Sequence, residues 1–261
     1  MLTRLFATIY LMPTYTFSGL VHPNRAVINH LEVVPLEVVS PDFPNRLSVR
    51  VTILASQISV VVDSPDDITA DLDTLKNMLL GIVATSVDAL GYTLGHAYSV
   101  EITSVVLPDG NYIVFGIDVP VLVESRSARP LTAGRVVDLT LQNHHLRRAV
   151  SDMRHAVQVP QDTAFYCYRA VESIRQSWAD AGDEKRQWLE MNKALKIDRS
   201  AHDAIKDWAD DQRHGAGVLP MTDSDRVAAL QHVWEVMDRY LILVDRKIAI
   251  LPDTFVLLAG K

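Results

Sequence analysis

The spacing of hydrophobic residues changes once along the 261-residue chain, and this change most limits what the chain can fold into. In residues 47–62, apolar and polar residues alternate with a period of two, the pattern of a strand with one buried face. From Val137 to Ile250, apolar residues recur at helical spacing. The sequence therefore predicts an α+β protein: a β-rich N-terminal domain with one long helix over residues 1–136, and an all-α helical bundle over residues 137–261.

The N-terminal half is predicted to form a sheet of about four to six strands crossed by one helix. Residues 47–62 form a hairpin that turns near residues 55–57, and a second hairpin turns at residues 108–111 between strands over Tyr98–Leu107 and Tyr112–Val123. The helix is expected to begin at Ser64, since Pro65 and two aspartates follow it, and to stop at Gly91.

The C-terminal half is predicted to contain helices joined by short connections, which indicates a bundle. Their expected ranges are Leu139–Val157, Pro160–Trp178, Asp183–Leu195, Ser200–Gln212 and Asp223–Lys247.

Charge and cysteine content narrow the class of protein. The chain has 25 Lys and Arg against 32 Asp and Glu, so a broad basic face that binds nucleic acid is not expected. A local basic pocket is compatible with this net charge. Its single cysteine, Cys167, forms no intrachain disulfide, is predicted to be buried and inert, and favours a cytoplasmic location. Residues 5–21 are interpreted as a strand rather than a signal peptide, and no membrane span is expected.

No common nucleotide-binding, zinc-protease or nucleophile motif occurs in the sequence, so neither a cofactor nor a metal is predicted. The adjacent residues His144 and His145 face different sides of a helix and make a poor metal pair. His202 and Asp203 lack a third ligand.

Residues 140–250 resemble the helical HEPN fold. The resemblance rests on the helix AFYCYRAVESIRQSW over residues 164–178, on Trp188, and on a helix that ends in Arg213-His214-Gly215 before a final long helix. It implies a homodimer formed through the helical domain, with RNA or a nucleotide as the ligand.

HEPN ribonucleases carry an arginine four to six residues before a histidine. Here His214 matches the histidine, but residues 208–210 are Trp, Ala and Asp, and Arg213 lies directly before His214 instead. Arg148 and His155 have an Arg-x6-His spacing, but on the first helix of the bundle, and we interpret it as chance. The resemblance then implies His214 as acid–base group, with Arg213 or Arg169 at the phosphate.

Each of these residues also has a purely structural interpretation. Basic residues in a last helical turn followed by glycine are the usual end of a helix, which accounts for Arg213-His214-Gly215. Arg169, Glu172 and Arg175 lie three apart and can form local ion pairs, while Arg169 and Glu172 are also the candidate binding residues.

Two functional hypotheses follow. In the first, the bundle serves dimerisation and RNA or nucleotide binding without an intact nuclease motif, and the N-terminal domain recognises a protein partner or ligand. In the second, the protein is a metal-independent ribonuclease of a defence or toxin system.

Overall fold

The chain divides into two units in the computed structural model, residues 1–117 and residues 118–261. The structure describes residues 12–25, 28, 31–117, 119–124, 129–214 and 221–259. The boundary lies at residue 117 rather than at the predicted residue 136, because Leu122 is buried in the core of the helical unit and Leu131 packs against it.

The first unit is an antiparallel sheet covered by one helix. Its strands are β1 (Thr14–His22), β2 (Leu31–Val38), β3 (Leu47–Leu54), β4 (Gln57–Asp63), β5 (Ser99–Val106) and β6 (Tyr112–Val114). They lie in the order β2-β3-β4-β1-β5-β6. Helix α1 (Leu72–Leu94) shares one core with the sheet, built from inward residues such as Phe17 and Val60 and from Leu79 and Val83 of the helix.

Gly19 marks a bulge in the central strand. The register between β1 and β5 shifts between Ser18 and Gly19, and a Cβ at Gly19 would lie 2.1 Å from the carbonyl oxygen of Glu101. The close approach of these two backbones therefore requires glycine at this position.

Helix α1 begins later than the sequence pattern suggested. The predicted start was Ser64, but a 3₁₀ turn over Thr69–Asp71 precedes the helix, and Asp67 accepts hydrogen bonds from the Tyr15 hydroxyl (2.9 Å) and the Thr69 amide (3.0 Å). The predicted stop at Gly91 is also wrong. The helix continues to Leu94, and Gly95, with φ of 69°, ends it.

Helix α1 packs one face against the sheet and leaves most of its apolar surface outside the core. Thr69–Leu94 is long and apolar enough to cross a membrane by length and composition, and 22% of its most apolar stretch is buried. Its residues Leu75, Leu79, Val83 and Val87 are buried in the core that it forms with the sheet. The cytoplasmic location stays a prediction.

The second unit is a helical bundle, and the predicted α+β class is confirmed. Its helices are α2 (Pro120–Glu124), α3 (Ala133–Gln142), α4 (His144–Gln158), α5 (Thr163–Arg175), α6 (Glu184–Leu195), α7 (Asp203–His214) and α8 (Asp223–Arg246). Helix α5 is central and packs against α4, α7 and α8. Its position brings residues of three neighbouring helices to its surface.

Two sequence predictions for this region are wrong. The predicted strand Tyr112–Val123 ends at Val114, because Pro120 begins α2, whose Leu122 enters the helical core. The predicted helix Leu139–Val157 is interrupted at Asn143, which has extended backbone and accepts a hydrogen bond from the Leu146 amide (3.0 Å) as the N-cap of α4. The last three predicted helices are confirmed as α6, α7 and α8, although α7 begins at Asp203 rather than Ser200, after a 3₁₀ turn over Arg199–His202.

Candidate functional site

Helix α4 carries an unusual density of basic side chains for an acidic protein. Within His144–Gln158 the sequence has three arginines, three histidines and one carboxylate, Asp152. Leu146, Ala149, Met153 and Ala156 are buried, while the arginines project outward. We call the exposed set Arg147, Arg148 and Arg154 the basic face.

Asp152 lies beneath this face, paired with Arg169 of α5. It is 3% exposed, and its Oδ1 lies 3.0 Å from Arg169 Nη2. Burial raises the pKa of Asp152, while the positive charges of Arg169 and Arg148 and the nearby His155 oppose that rise. Arg148 and Arg169 therefore lie close to one buried carboxylate, on two different helices.

Aromatic rings fix Arg169 and His155 at the edge of the basic face. The Arg169 guanidinium lies 5.2 Å from the Phe165 ring centre and 5.6 Å from that of Tyr166. The His155 ring stacks on Tyr166 at 5.1 Å. His155 Nε2 lies 3.2 Å from Arg154 Nη2. These contacts restrain the guanidinium groups of Arg169 and Arg154.

The predicted pair Arg213 and His214 lies elsewhere, in the last turn of α7. Both side chains are exposed, and Arg213 Nη1 is 3.9 Å from Asp210 Oδ1. Gly215, the expected helix stop, lies outside the described residues. Within the described parts of the chain, no hydrogen bond or ion pair joins either residue to Arg169. The structure thus does not assemble the predicted catalytic group around Arg169.

Arg169 does not pair with Glu172 along α5 as the spacing suggested, whereas burial raises the pKa of Glu172 and the charge of Arg175 opposes that rise. Arg169 pairs with Asp152 of α4, and Arg175 Nη1 contacts Gln187 Oε1 at 2.9 Å and Glu184 Oε1 at 3.5 Å, both in or beside α6. Because α5 is surrounded by helices, Arg169 and Arg175 meet partners across the interfaces. Arg169 and Glu172 consequently belong to different surroundings.

A histidine pair that the sequence analysis missed, with His202 buried and His232 half-buried, links α8 to the segment before α7. His202 Nε2 is 3.2 Å from Asn192 Oδ1, and His232 Nε2 is 3.0 Å from His202 Nδ1. Since an amide oxygen only accepts, His202 carries its proton on Nε2 and accepts from His232. Burial lowers the pKa of His202 to about 3 and that of His232 to about 4, so both are neutral at pH 7.

The described part of the chain does not bring together side chains that could bind a metal ion. No group of three or more His, Cys, Asp or Glu side chains is placed to hold an ion there. Cys167 is buried as predicted, and burial raises the pKa of its thiol to about 12. The absence of a metal and of a cofactor stays a prediction.

Comparison with known proteins gives a family for both units. The model described as "Domain of unknown function (DUF8168) N-terminal domain" matches residues 15–115, and that described as "Domain of unknown function (DUF8168) C-terminal domain" matches residues 133–245. No curated protein and no solved structure matches the chain. The first match spans the sheet and its helix, and the second runs from α3 into α8. The chain is therefore a two-domain α+β protein that belongs to the DUF8168 family.

Proposed function

We propose that the helical unit is an HEPN-like binding and assembly module that holds RNA, or a nucleotide, through its phosphates on the basic face of α4. The observation that carries the proposal is the exposure of Arg147, Arg148 and Arg154 on one short helix of a chain whose net charge is -7. Lys and Arg side chains that neutralise phosphates supply most of the affinity of sequence-independent RNA binding.

The arrangement around Asp152 supports phosphate binding rather than a simple solvated surface. Asp152 accepts from Arg169 and thereby fixes that guanidinium, whose side chain is 32% exposed and keeps N–H groups for a ligand. Tyr166 is partly exposed beside it and offers an aromatic edge next to the cations. Basic groups beside aromatic rings are the usual composition of surfaces that bind single-stranded nucleic acid.

Fluorescence anisotropy with a labelled oligoribonucleotide tests this proposal. Replacing Arg147, Arg148 and Arg154 together with glutamine is expected to weaken binding more than about tenfold, because three phosphate contacts are lost. The matched control removes three exposed positive charges from α6, in Lys185→Gln, Arg186→Gln and Lys193→Gln. Equal loss in both variants, or no binding by the wild type, would refute the assignment of the basic face.

Assembly is the second part of the proposal. The resemblance implies a homodimer, and Val137 and Leu141, one turn apart on α3, expose apolar side chains that are 57% and 66% accessible. Light scattering after gel filtration is expected to give twice the 29.1 kDa chain mass for the wild type. Replacement of both side chains with serine is expected to return the monomer mass.

A metal-independent ribonuclease is the second candidate function, and the exposure of the His214 imidazole beside Arg213 favours it. An exposed histidine can exchange protons with a bound 2′-hydroxyl, and an adjacent guanidinium can bind the phosphate. RNA incubated in EDTA with the wild type should be cleaved, and His214→Ala should abolish cleavage without lowering the melting temperature. If the RNA stays intact with both proteins, the ribonuclease hypothesis is refuted and RNA binding without cleavage is the remaining function.

The role of the N-terminal unit in recognising a protein partner stays a prediction. Tyr112 and Val114 of the edge strand β6, and Ile117 after it, are exposed apolar side chains at one side of the sheet.

A further inference from the structure

We propose that His155 is a further phosphate ligand of the basic face and that it binds in its protonated form, so that RNA binding takes up a proton. This inference rests on the proposed binding of phosphates by the basic face. It adds to that face the one kind of side chain whose charge ordinarily changes near neutral pH. The group lies where α4 packs against α5.

A polar seam separates α4 and α5 at this edge of the basic face. Asp152 and His155 are three residues apart on α4 and therefore share one side of the helix. From α5, Arg169 Nη2 lies 3.0 Å from Asp152 Oδ1, and the Tyr166 ring stacks on the His155 ring at 5.1 Å. The Arg169 guanidinium lies 5.6 Å from the centre of the same Tyr166 ring. Direct contacts thus connect all four side chains.

Two buried polar atoms of this seam have no hydrogen-bond partner among the described residues. They are Asp152 Oδ2 and His155 Nδ1. Asp152 is 3% exposed, so bulk solvent does not replace the missing contact. Buried polar groups in native proteins are almost always paired, and an imidazole with a proton on Nδ1 supplies the donor that the free carboxylate oxygen lacks. The two unpartnered atoms are therefore complementary to each other.

The other imidazole nitrogen faces the basic face itself. His155 Nε2 lies 3.2 Å from Arg154 Nη2. Because a guanidinium only donates, this contact is favourable only while Nε2 carries no proton. When a phosphate oxygen binds the exposed Arg154 guanidinium, Nε2 is released and takes up a proton from the buffer. The imidazolium then donates from Nε2 to the phosphate and from Nδ1 to Asp152, so that both unpartnered atoms gain partners.

The charges around the seam favour the imidazolium more in the complex than in the free protein. These charged side chains are Arg148, Asp152 and Arg154 on α4, Arg169 on α5, and Arg226 on α8, whose Nη2 donates to the Val157 carbonyl oxygen at 2.9 Å. In the free protein one carboxylate faces several guanidinium groups. A phosphate on the basic face adds negative charge beside His155 Nε2 and offsets them. Because the complex then favours the protonated form, RNA affinity rises as the pH falls.

Fluorescence anisotropy with labelled oligouridylate, whose bases take up no proton near neutral pH, tests the proposal on the full-length protein. The wild type is expected to bind about tenfold more tightly at pH 6 than at pH 8. In His155→Gln, which keeps a polar side chain that does not titrate, the change should be under about threefold. The control His96→Gln removes an exposed histidine of the N-terminal unit and should keep the wild-type pH dependence. Circular dichroism at each pH confirms that all three proteins are folded.

Isothermal titration calorimetry counts the proton directly. Binding heats measured at pH 6.5 in PIPES and in Bis-Tris, which differ in ionisation enthalpy, give the number of protons taken up for each RNA bound. The wild type should take up about 0.5 proton and His155→Gln close to none. Asp152→Asn, whose amide oxygen still accepts from Arg169, should take up less than the wild type, because the imidazolium loses its carboxylate partner.

The outcomes separate this proposal from the one on which it rests. A pH dependence that is lost in His155→Gln, while RNA binding at pH 8 is retained, supports His155 as the protonated ligand. Equal pH dependence and equal proton uptake in the wild type and in His155→Gln would overturn this proposal and leave phosphate binding by the basic face in place. A wild type that binds no RNA at either pH would overturn both.

Discussion

The pair His202 and His232 makes the stability of the helical unit depend on pH in a predictable way. Both imidazoles are neutral in the folded protein, because burial lowers their pKa values to about 3 and about 4. In the unfolded chain each titrates near its ordinary value of about 6.5. Since the unfolded state takes up protons first, this contribution to stability is complete above about pH 6.5 and is lost as the pH falls toward the folded pKa values.

The magnitude follows from these values. At pH 5 the folded pair is still neutral, whereas each histidine in the unfolded chain has gained about 2 kcal/mol from protonation. Together the two residues should lower the free energy of unfolding by about 4 kcal/mol between pH 8 and pH 5. Glu235 favours protonation of His232 and Arg239 opposes it, but neither brings its pKa back into this range.

Urea denaturation at pH 8, 6.5 and 5, followed by circular dichroism, measures this loss. The control is the double variant His202→Gln and His232→Gln, which keeps an amide near Asn192 and removes both titrating groups. All other carboxylates and histidines remain, so the difference between the two proteins isolates the pair. The wild type should lose about 4 kcal/mol more than the variant across this range. A difference under about 1 kcal/mol would refute the argument that both are neutral in the folded protein.

Further predictions concern individual positions. Gly19→Ala should destabilise the N-terminal unit by about 3 kcal/mol or more in urea denaturation, because its Cβ would lie 2.1 Å from the Glu101 carbonyl oxygen; an unchanged midpoint would contradict the bulge geometry. Cys167 should not react with a thiol reagent in the native protein and should react fully in guanidinium, since it is buried and its pKa is raised to about 12; rapid native labelling would contradict this. Asn143→Ala should lower the unfolding free energy by about 1 kcal/mol in urea, through loss of the cap on the Leu146 amide, and Asn143→Asp should restore most of it.

The sequence predicts whether each half is mainly strand or mainly helix, because hydrophobic periodicity and turn residues are local features of the chain. The period-two alternation in residues 47–62 requires one buried face, and the turn at Ala55 and Ser56, both with positive φ, joins β3 and β4 as predicted. Element ends were less predictable, because they depend on distant contacts. Ser64 was expected to begin α1, with Asp67 near its N-terminal end, but Asp67 accepts a hydrogen bond from the Tyr15 hydroxyl, contributed by β1.

The candidate site was harder to predict from the sequence than the fold was. The negative net charge argued against a basic surface, although the three arginines of His144–Gln158 can be seen in the sequence. The partner of Arg169 was not visible, because Asp152 lies on another helix and helical spacing along α5 suggested Glu172 instead. His202 and His232 are 30 residues apart, and only the packing of their helices joins them.

The salt dependence of RNA binding tests the central claim, that the basic face of α4 holds phosphates, most directly. For single-stranded RNA, each phosphate contact contributes about 0.7 to the slope of log affinity against log salt concentration. The variant lacking Arg147, Arg148 and Arg154 should therefore show a slope about 2 smaller than the wild type, while the α6 control variant keeps the wild-type slope. Equal slopes for the wild type and the α4 variant would contradict the claim, whatever their absolute affinities.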